Sequence, residues 1–384
     1  MKANDKFVQL LLIGCCIMLF SIPSIGQKLQ GIKQLLNTIL NDTSTTAKPK
    51  FIAYPVLAFT PETSWEFGAS ALYVYNSRND LTNRLSELYA FSFVTLENQY
   101  GLWVDHAIYT DKNKYFFLGK FRLQQFPLLY HGIGINTPSE PIARIDGFSL
   151  TLRERLLREV TKNLYAGLEL DFNYSSSVEI SEQTSDFIRP PGVAGFTNFG
   201  LGLGLVYDQR YNVLNPRRGF FVEGGFLHYD ENLGSDYSFQ SYFLDFRYYQ
   251  PTFENQILAY QMLMNTVSSV NGSEVPFNQL SLMGGESLMR GYYLGRYRDN
   301  TLVATQAEYR FLPFPFSKRF GGTIFGGLGA LGPSMVDLKL DQVKASGGVG
   351  IRFLLFPGKD IYTRFDVAFT NEGSGYYLFI GEAF

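Results

Sequence analysis

Cysteine is nearly absent. The chain has two, Cys15 and Cys16, both inside an apolar leader, so a processed chain would hold no thiol, disulfide or cysteine metal site. Cohesion must then come from packing and hydrogen bonds. Histidine is also scarce: His106, His131 and His228 lie far apart and show no metal-ligand spacing, so neither a metal nor a cofactor is expected. Triad partners can be distant in sequence. Even so, no Gly-x-Ser-x-Gly elbow appears, and the chain reads as a non-enzyme. The formal net charge is −2 with no basic stripe, which excludes nucleic acid as a partner. Past the leader there is no apolar run of about 18 residues, so no membrane-spanning helix is expected.

The leader itself sets the compartment. Met1 to Lys6 is polar with two lysines, Phe7 to Phe20 is almost continuously apolar, and Ser24 and Gly26 are small residues placed for a cut before Gln27. Residues 1–26 therefore read as a signal peptide. Leu12-Ile13-Gly14-Cys15 has the look of a lipobox, but cleavage there would leave the apolar stretch Cys16 to Ile25 as a free tail.

In residues 27–50, Leu29, Ile32, Leu35, Leu36, Ile39 and Leu40 recur at helical spacing and predict a short amphipathic helix, followed by a polar Ser/Thr-rich linker. Such a helix would rest on a barrel rim or act as a plug or partner-binding segment. From Phe51 the period changes to two. In Tyr165 to Tyr174, Ala166, Leu168, Leu170 and Phe172 share one face, while Gly167, Glu169, Asp171 and Asn173 share the other. One face suits lipid and the other water.

Marking strands by this alternation predicts sixteen: 51–59, 65–76, 85–96, 99–110, 113–125, 143–157, 162–179, 197–210, 218–230, 236–250, 254–271, 301–312, 319–331, 343–356, 360–371 and 375–384. Linkers alternate. Asp111-Lys112, Val160-Thr161, Thr252-Phe253 and Pro357 to Lys359 are brief, whereas 126–142, 180–196, 272–300 and 332–342 are long. Aromatics are abundant, with 35 Phe and 25 Tyr. A soluble β-sandwich or propeller needs no such pairing of long and short linkers. The reading is all-β: a transmembrane antiparallel β-barrel over 51–384, exported to the outer membrane of a Gram-negative bacterium. The glycine runs Gly200 to Gly204 and Gly347 to Gly350 precede no helix, so they are not phosphate loops and fit close strand packing instead.

Several motifs then combine. Gly284-Gly285-Glu286-Ser287-Leu288-Met289-Arg290-Gly291-Tyr292-Tyr293 lies in the linker between the eleventh and twelfth strands. Tyr207-Asp208-Gln209-Arg210 precedes Asn215-Pro216 and Gly219. Glu308-Tyr309-Arg310, Pro357-Gly358 with Arg364-Phe365-Asp366, Pro61-Glu62-Thr63 with Phe67-Gly68, and the Phe379-Ile380-Gly381-Glu382-Ala383-Phe384 ending complete the set. Together they resemble the barrel domain of the BamA/TamA superfamily, the bacterial surface antigen family, over about residues 51–384.

The resemblance implies that the Arg290 loop, with Gly284, Gly285, Gly291 and Tyr292, folds back into the lumen. It also implies that Phe379, Gly381 and Phe384 form the C-terminal signal read by the outer-membrane assembly machinery. Two departures stand out. Residues 27–50 are too few for a periplasmic POTRA domain, and Gly327 occupies the place expected of an acidic residue that holds the loop arginine. Independently of any family, a guanidinium in a polar lumen needs carboxylates, and Glu308 and Asp366 are the candidate anchors. The contrary reading makes Arg290 an ordinary exposed loop arginine beside Arg296 and Arg298.

The implied role is assistance to the insertion or passage of a polypeptide or lipid at the outer membrane. Expected partners are outer-membrane lipid, the assembly machinery during biogenesis, and a polypeptide client or periplasmic accessory protein. The alternatives are a passive pore for small solutes and a structural or adhesin-binding barrel. The purified protein is expected to be mostly β by circular dichroism and to need detergent. Removal of Phe384 should lower its outer-membrane level, and a folded protein in detergent-free buffer would contradict the barrel.

Overall fold

A computed structural model describes residues 48–60, 64–96, 99–210 and 212–384. The leader, the predicted helix and the Pro61 to Thr63 turn lie outside the described residues. Residues 46–354 and 361–384 form one compact unit.

Among the described residues eighteen strands are present. They are β1 (Lys50–Thr60), β2 (Ser64–Asn76), β3 (Leu85–Thr95), β4 (Tyr100–Tyr109), β5 (Tyr115–Tyr130), β6 (Ala143–Thr161), β7 (Leu164–Ser181), β8 (Phe196–Asp208), β9 (Gly219–Tyr229), β10 (Phe239–Pro251), β11 (Gln256–Ser269), β12 (Ser281–Met283), β13 (Tyr297–Asp299), β14 (Thr301–Phe311), β15 (Phe320–Gly332), β16 (Lys344–Phe356), β17 (Ile361–Thr370) and β18 (Gly373–Ile380). Sixteen of them form one sheet in sequence order, the wall of an antiparallel barrel. The short β12 and β13 pair with each other inside the loop between β11 and β14.

Alternation places the side chains. Along β14, Leu302, Ala304, Gln306, Glu308 and Arg310 are buried while Val303, Thr305, Ala307, Tyr309 and Phe311 face outward. Along β8, Leu201, Leu203 and Leu205 are exposed and Gly200, Gly202 and Gly204 turn inward. Those inward glycines leave room for charge. A Cβ at Gly204 would stand 3.2 Å from Cδ of Arg155, and one at Gly225 would stand 2.6 Å from Oε2 of Glu169.

The interior is accordingly ionic. Registers Arg153↔Asp171 and Arg155↔Glu169 set two arginines of β6 opposite two acids of β7. Arg155 pairs with Glu169 at 2.8 Å and also with Glu223 of β9. A charged group inside needs such a partner, because burying it alone costs several kcal/mol.

The longest connections, β5–β6, β7–β8, β11–β14 and β15–β16, share one end of the barrel, and the opposite, short-turn end is the one that faces the periplasm in barrels of this kind. Arg84 joins four successive connections there. Its backbone N–H donates to Oδ1 of Asn113 at 2.8 Å, and its guanidinium donates to Oδ1 of Asn163 at 2.9 Å and to the Arg210 carbonyl at 3.0 Å. It also pairs with Asp208 at 3.3 Å.

Three boundaries differ from the sequence reading: β5 runs on through Phe126 to Tyr130, paired with β6, which shortens the linker expected over 126–142. β6 continues through Val160 and Thr161, carried past a register shift between Glu159 and Thr161, so the turn is Lys162-Asn163. β18 stops at Ile380: Gly381 adopts φ 90°, a left-handed conformation that redirects the chain, and Ala383 and Phe384 are buried instead of continuing the strand. Replacement of Arg84 by Ala removes charge-assisted bonds worth about 1.5–3 kcal/mol. The expected result is a lower midpoint of thermal unfolding in detergent, with strand content unchanged by circular dichroism.

Candidate functional site

The long loop between β11 and β14 enters the barrel because its own residues build a compact wedge. β12 pairs with β13 through Ser281↔Asp299, Leu282↔Arg298 and Met283↔Tyr297. Beyond β12 the chain turns at Gly284, with φ 114°; a Cβ there would stand 2.1 Å from the Tyr293 carbonyl oxygen, so no other residue fits. Gly285 follows in a similar conformation and donates its N–H to the Tyr292 carbonyl at 2.9 Å. Met283, Met289, Tyr292 and Tyr297 then pack against Leu302, Ala304 and Leu331 of the wall.

This wedge carries Arg290 into the lumen, where the residue is 1% exposed. Its Nη1 donates to Oδ2 of Asp366 on β17 at 2.5 Å, and Nη2 pairs with Oε1 of Glu308 on β14. The Phe325 ring of β15 lies 3.6 Å from the guanidinium carbon. A cation over a desolvated aromatic face gains about 2 kcal/mol or more. Gly327 faces Met289: a Cβ added there would stand 3.2 Å from its sulfur. Thioether packing thus fills the place where the resemblance led us to expect an acid, and the second carboxylate comes from Asp366 on another strand.

More cations surround these acids. Arg310 donates to Oε2 of Glu308 at 2.7 Å, Arg364 to Oδ2 of Asp366 at 2.8 Å, and Arg352 to Oδ1 of Asp366. Arg364 also holds the loop backbone through the Glu286 carbonyl at 3.0 Å. The Gly291 N–H donates to the Tyr377 hydroxyl of β18 at 2.8 Å, and Gln306 holds the Ser287 carbonyl at 2.7 Å. Tyr292 reaches Oδ1 of Asn371 at 2.6 Å, and Arg296 pairs with Glu372 at 2.6 Å. The loop is therefore fastened at its tip, along its length and at its outer end.

Of the residues singled out from sequence, Arg290, Glu308 and Asp366 meet in one cluster, and Gly284, Gly285, Gly291 and Tyr292 shape the loop that delivers the arginine. Phe379 lies apart, beneath Arg364 at 5.1 Å. Gly381 and Phe384 sit toward the short-turn end, where the Phe384 ring lies 5.0 Å from the Arg310 guanidinium. Sequence reasoning missed Arg310, Arg352, Arg364, Phe325, Tyr377 and Glu372.

The Omp85 superfamily domain matches residues 129–384, which include the arginine loop and its anchors. The chain belongs to the Omp85 superfamily. This places the barrel in the Gram-negative outer membrane. Among solved structures it is similar to BamA from Haemophilus ducreyi lacking POTRA domains 1–3, at 15% identity and a TM-score of 0.53, covering 88% of this chain and 69% of that one. It is also similar to CdiB from Acinetobacter baumannii and CdiB from Escherichia coli. Each is 10% identical with a TM-score of 0.52; 86% of this chain is covered, with 59% and 61% of theirs. The chain thus spans about three fifths of the CdiB chains. At these identities the likeness concerns the fold. Comparison with curated protein sequences finds no match.

Within this Omp85 barrel, Arg290→Ala would leave Glu308 and Asp366 without the loop's charge. Breaking a buried pair from one side costs about 3–5 kcal/mol. Protease added outside intact cells should then cut residues 276–300 of the variant and spare the unaltered protein. Equal cleavage of both would identify an ordinary external loop.

Proposed function

We propose that this barrel assists the insertion or passage of a polypeptide or lipid at the outer membrane, opening laterally between β1 and β18. The observation that carries the reading is the buried position of the Arg290 loop, which occupies the lumen that a solute pore would keep free. β1 and β18 stand at the two ends of the hydrogen-bonded strand order. β18 has 8 residues, where β1 has 11. Pro55 contributes no backbone N–H to β1, and Gly373 and Gly375 give β18 no side chains to pack. Such a seam is the cheapest place for the wall to part.

In the same reading, residues 1–26 are the cleaved leader and the helix within 27–50 borders the periplasmic rim. Phe379, Gly381 and Phe384 serve the barrel's own assembly by the outer-membrane machinery. A polypeptide client, with or without a periplasmic accessory protein, is the proposed partner.

The mature chain offers no native cysteine, so engineered pairs report cleanly. Cysteines scanned between Ile52 to Phe59 and Leu378 to Ala383 should include a register that crosslinks on oxidation, since a disulfide needs Cα atoms roughly 4.4–6.8 Å apart. Cells that depend on this gene should stop assembling other outer-membrane proteins when the seam is locked and recover on reduction. Complete crosslinking without a phenotype would rule out lateral opening. In planar bilayers the unaltered protein is expected to stay mostly closed and the loop-deleted protein to conduct. A stable open channel in the unaltered protein would favour the passive pore.

A further inference from the structure

Gly381 is the last residue bonded along the barrel wall, next in register to the Thr363↔Ile380 pair of β17 and β18, and the chain leaves the wall after it. The Gly381 N–H donates to the Tyr362 carbonyl at 2.8 Å, and the Glu382 N–H donates to the Leu214 carbonyl at 2.9 Å. Leu214 belongs to the connection between β8 and β9, halfway along the strand order from β18. Residues 382–384 therefore form a strap across the short-turn end of the lumen. The Glu382 side chain is 1% exposed and meets Arg352 at 2.9 Å and Arg310 at 3.7 Å. The Phe384 carbonyl accepts from Nη2 of Arg310 at 3.1 Å, and its ring lies against Tyr249, with centroids 6.4 Å apart.

Arg310 and Arg352 are also the arginines that contact the loop's anchors. The contacts close on themselves: Arg290 to Glu308, Glu308 to Arg310, Arg310 to Glu382, Glu382 to Arg352, Arg352 to Asp366, and Asp366 back to Arg290. It is a ring of six alternating charges. It joins the long loop, three strands of the wall and the strap.

We infer that Glu382 is a positioning residue through which the Arg290 loop and the end of the last strand hold each other in place. Removal of Arg290 leaves Glu308 and Asp366 with fewer cations, and both turn further toward Arg310 and Arg352, the partners of Glu382. Removal of the Glu382 charge leaves Arg310 and Arg352 to compete with Arg290 for the same two carboxylates. In a desolvated site neither change is screened by water. Coupling between two sites is reciprocal, so a perturbation at either end must register at the other. The inference concerns what steadies the strand beside the seam and stands whether or not the seam opens.

Hydrogen exchange of the full-length protein in detergent tests it, with peptides of the β6–β7 hairpin as internal reference. Glu382→Gln keeps the shape of the side chain and the strap's backbone bonds. Arg290→Lys keeps the charge but loses the fork that grips two acids. In Glu382→Gln, exchange across 284–298 should rise about five-fold or more relative to the reference, within the usual range of coupling between sites. In Arg290→Lys, exchange across 376–384 should rise by a comparable factor. If Glu382→Gln loosens only the strap, or Arg290→Lys loosens only the loop, the inference is overturned. Should Arg290→Lys fail to fold, the Glu382→Gln arm decides alone: loop exchange at the unaltered ratio refutes the coupling.

Discussion

In hydrocarbon no water is available to bond a backbone amide, so each N–H and C=O of a spanning segment must find its partner in the chain. Here the sixteen-strand ladder meets that demand between neighbouring strands, and its geometry determines which face each side chain takes. With a period of two, each strand gives alternate residues to lipid and to the interior. Outward positions can be satisfied by Leu, Val, Phe and Tyr, as along β8 and β14. Inward positions are finite in volume and cut off from bulk water, so charges placed there must satisfy one another.

This second demand explains the pairs that recur along strands and, for Asp208 and Arg210, at a strand end. Asp208 and Arg210, Asp245 and Arg247, Glu308 and Arg310, and Arg364 and Asp366 each stand two residues apart, share the inward face and are bonded to each other. Such local pairs cancel charge without fixing where strands lie relative to one another. Bonds from these pairs to other segments supply that information: Arg84 to Asp208 across the turns, and Arg290 to Glu308 and Asp366 across the lumen. Because an unpartnered buried charge is so costly, positioning carries an energetic penalty for error, which suits an element that must hold one place.

Much of this was legible in the residues. Alternation and turn chemistry located the sixteen strands to within a few positions, since period and lipid exposure are local properties. The meeting of Arg290 with Glu308 and Asp366 followed from the need of a lumenal guanidinium for carboxylates. The spacing of two between opposite charges was also visible in Glu308-x-Arg310 and Arg364-x-Asp366, and read as shared-face pairs it would have pointed to Arg310 and Arg364. Arg352 and Glu382 could not be found this way, because their partners come from strands and a tail that only the closed barrel brings together. Val160 and Thr161 resembled a turn because a register shift is invisible to a fixed period, and the departure at Gly381 looked like one more glycine in a strand.

Gly381 also shows how the two demands meet. A strand that ran on to Phe384 would keep its ladder but place Glu382 and Phe384 within the wall, away from Arg352 and Tyr249. The left-handed turn keeps the ladder bond to Tyr362, replaces the bonds beyond it with one to Leu214, and delivers a carboxylate to two buried arginines. The β18 wall is shortened by the same step. A shorter final strand and a better-filled lumen are thus one structural choice, and the edge with the fewest ladder bonds is the edge whose end is tied most directly to the charges that hold the loop.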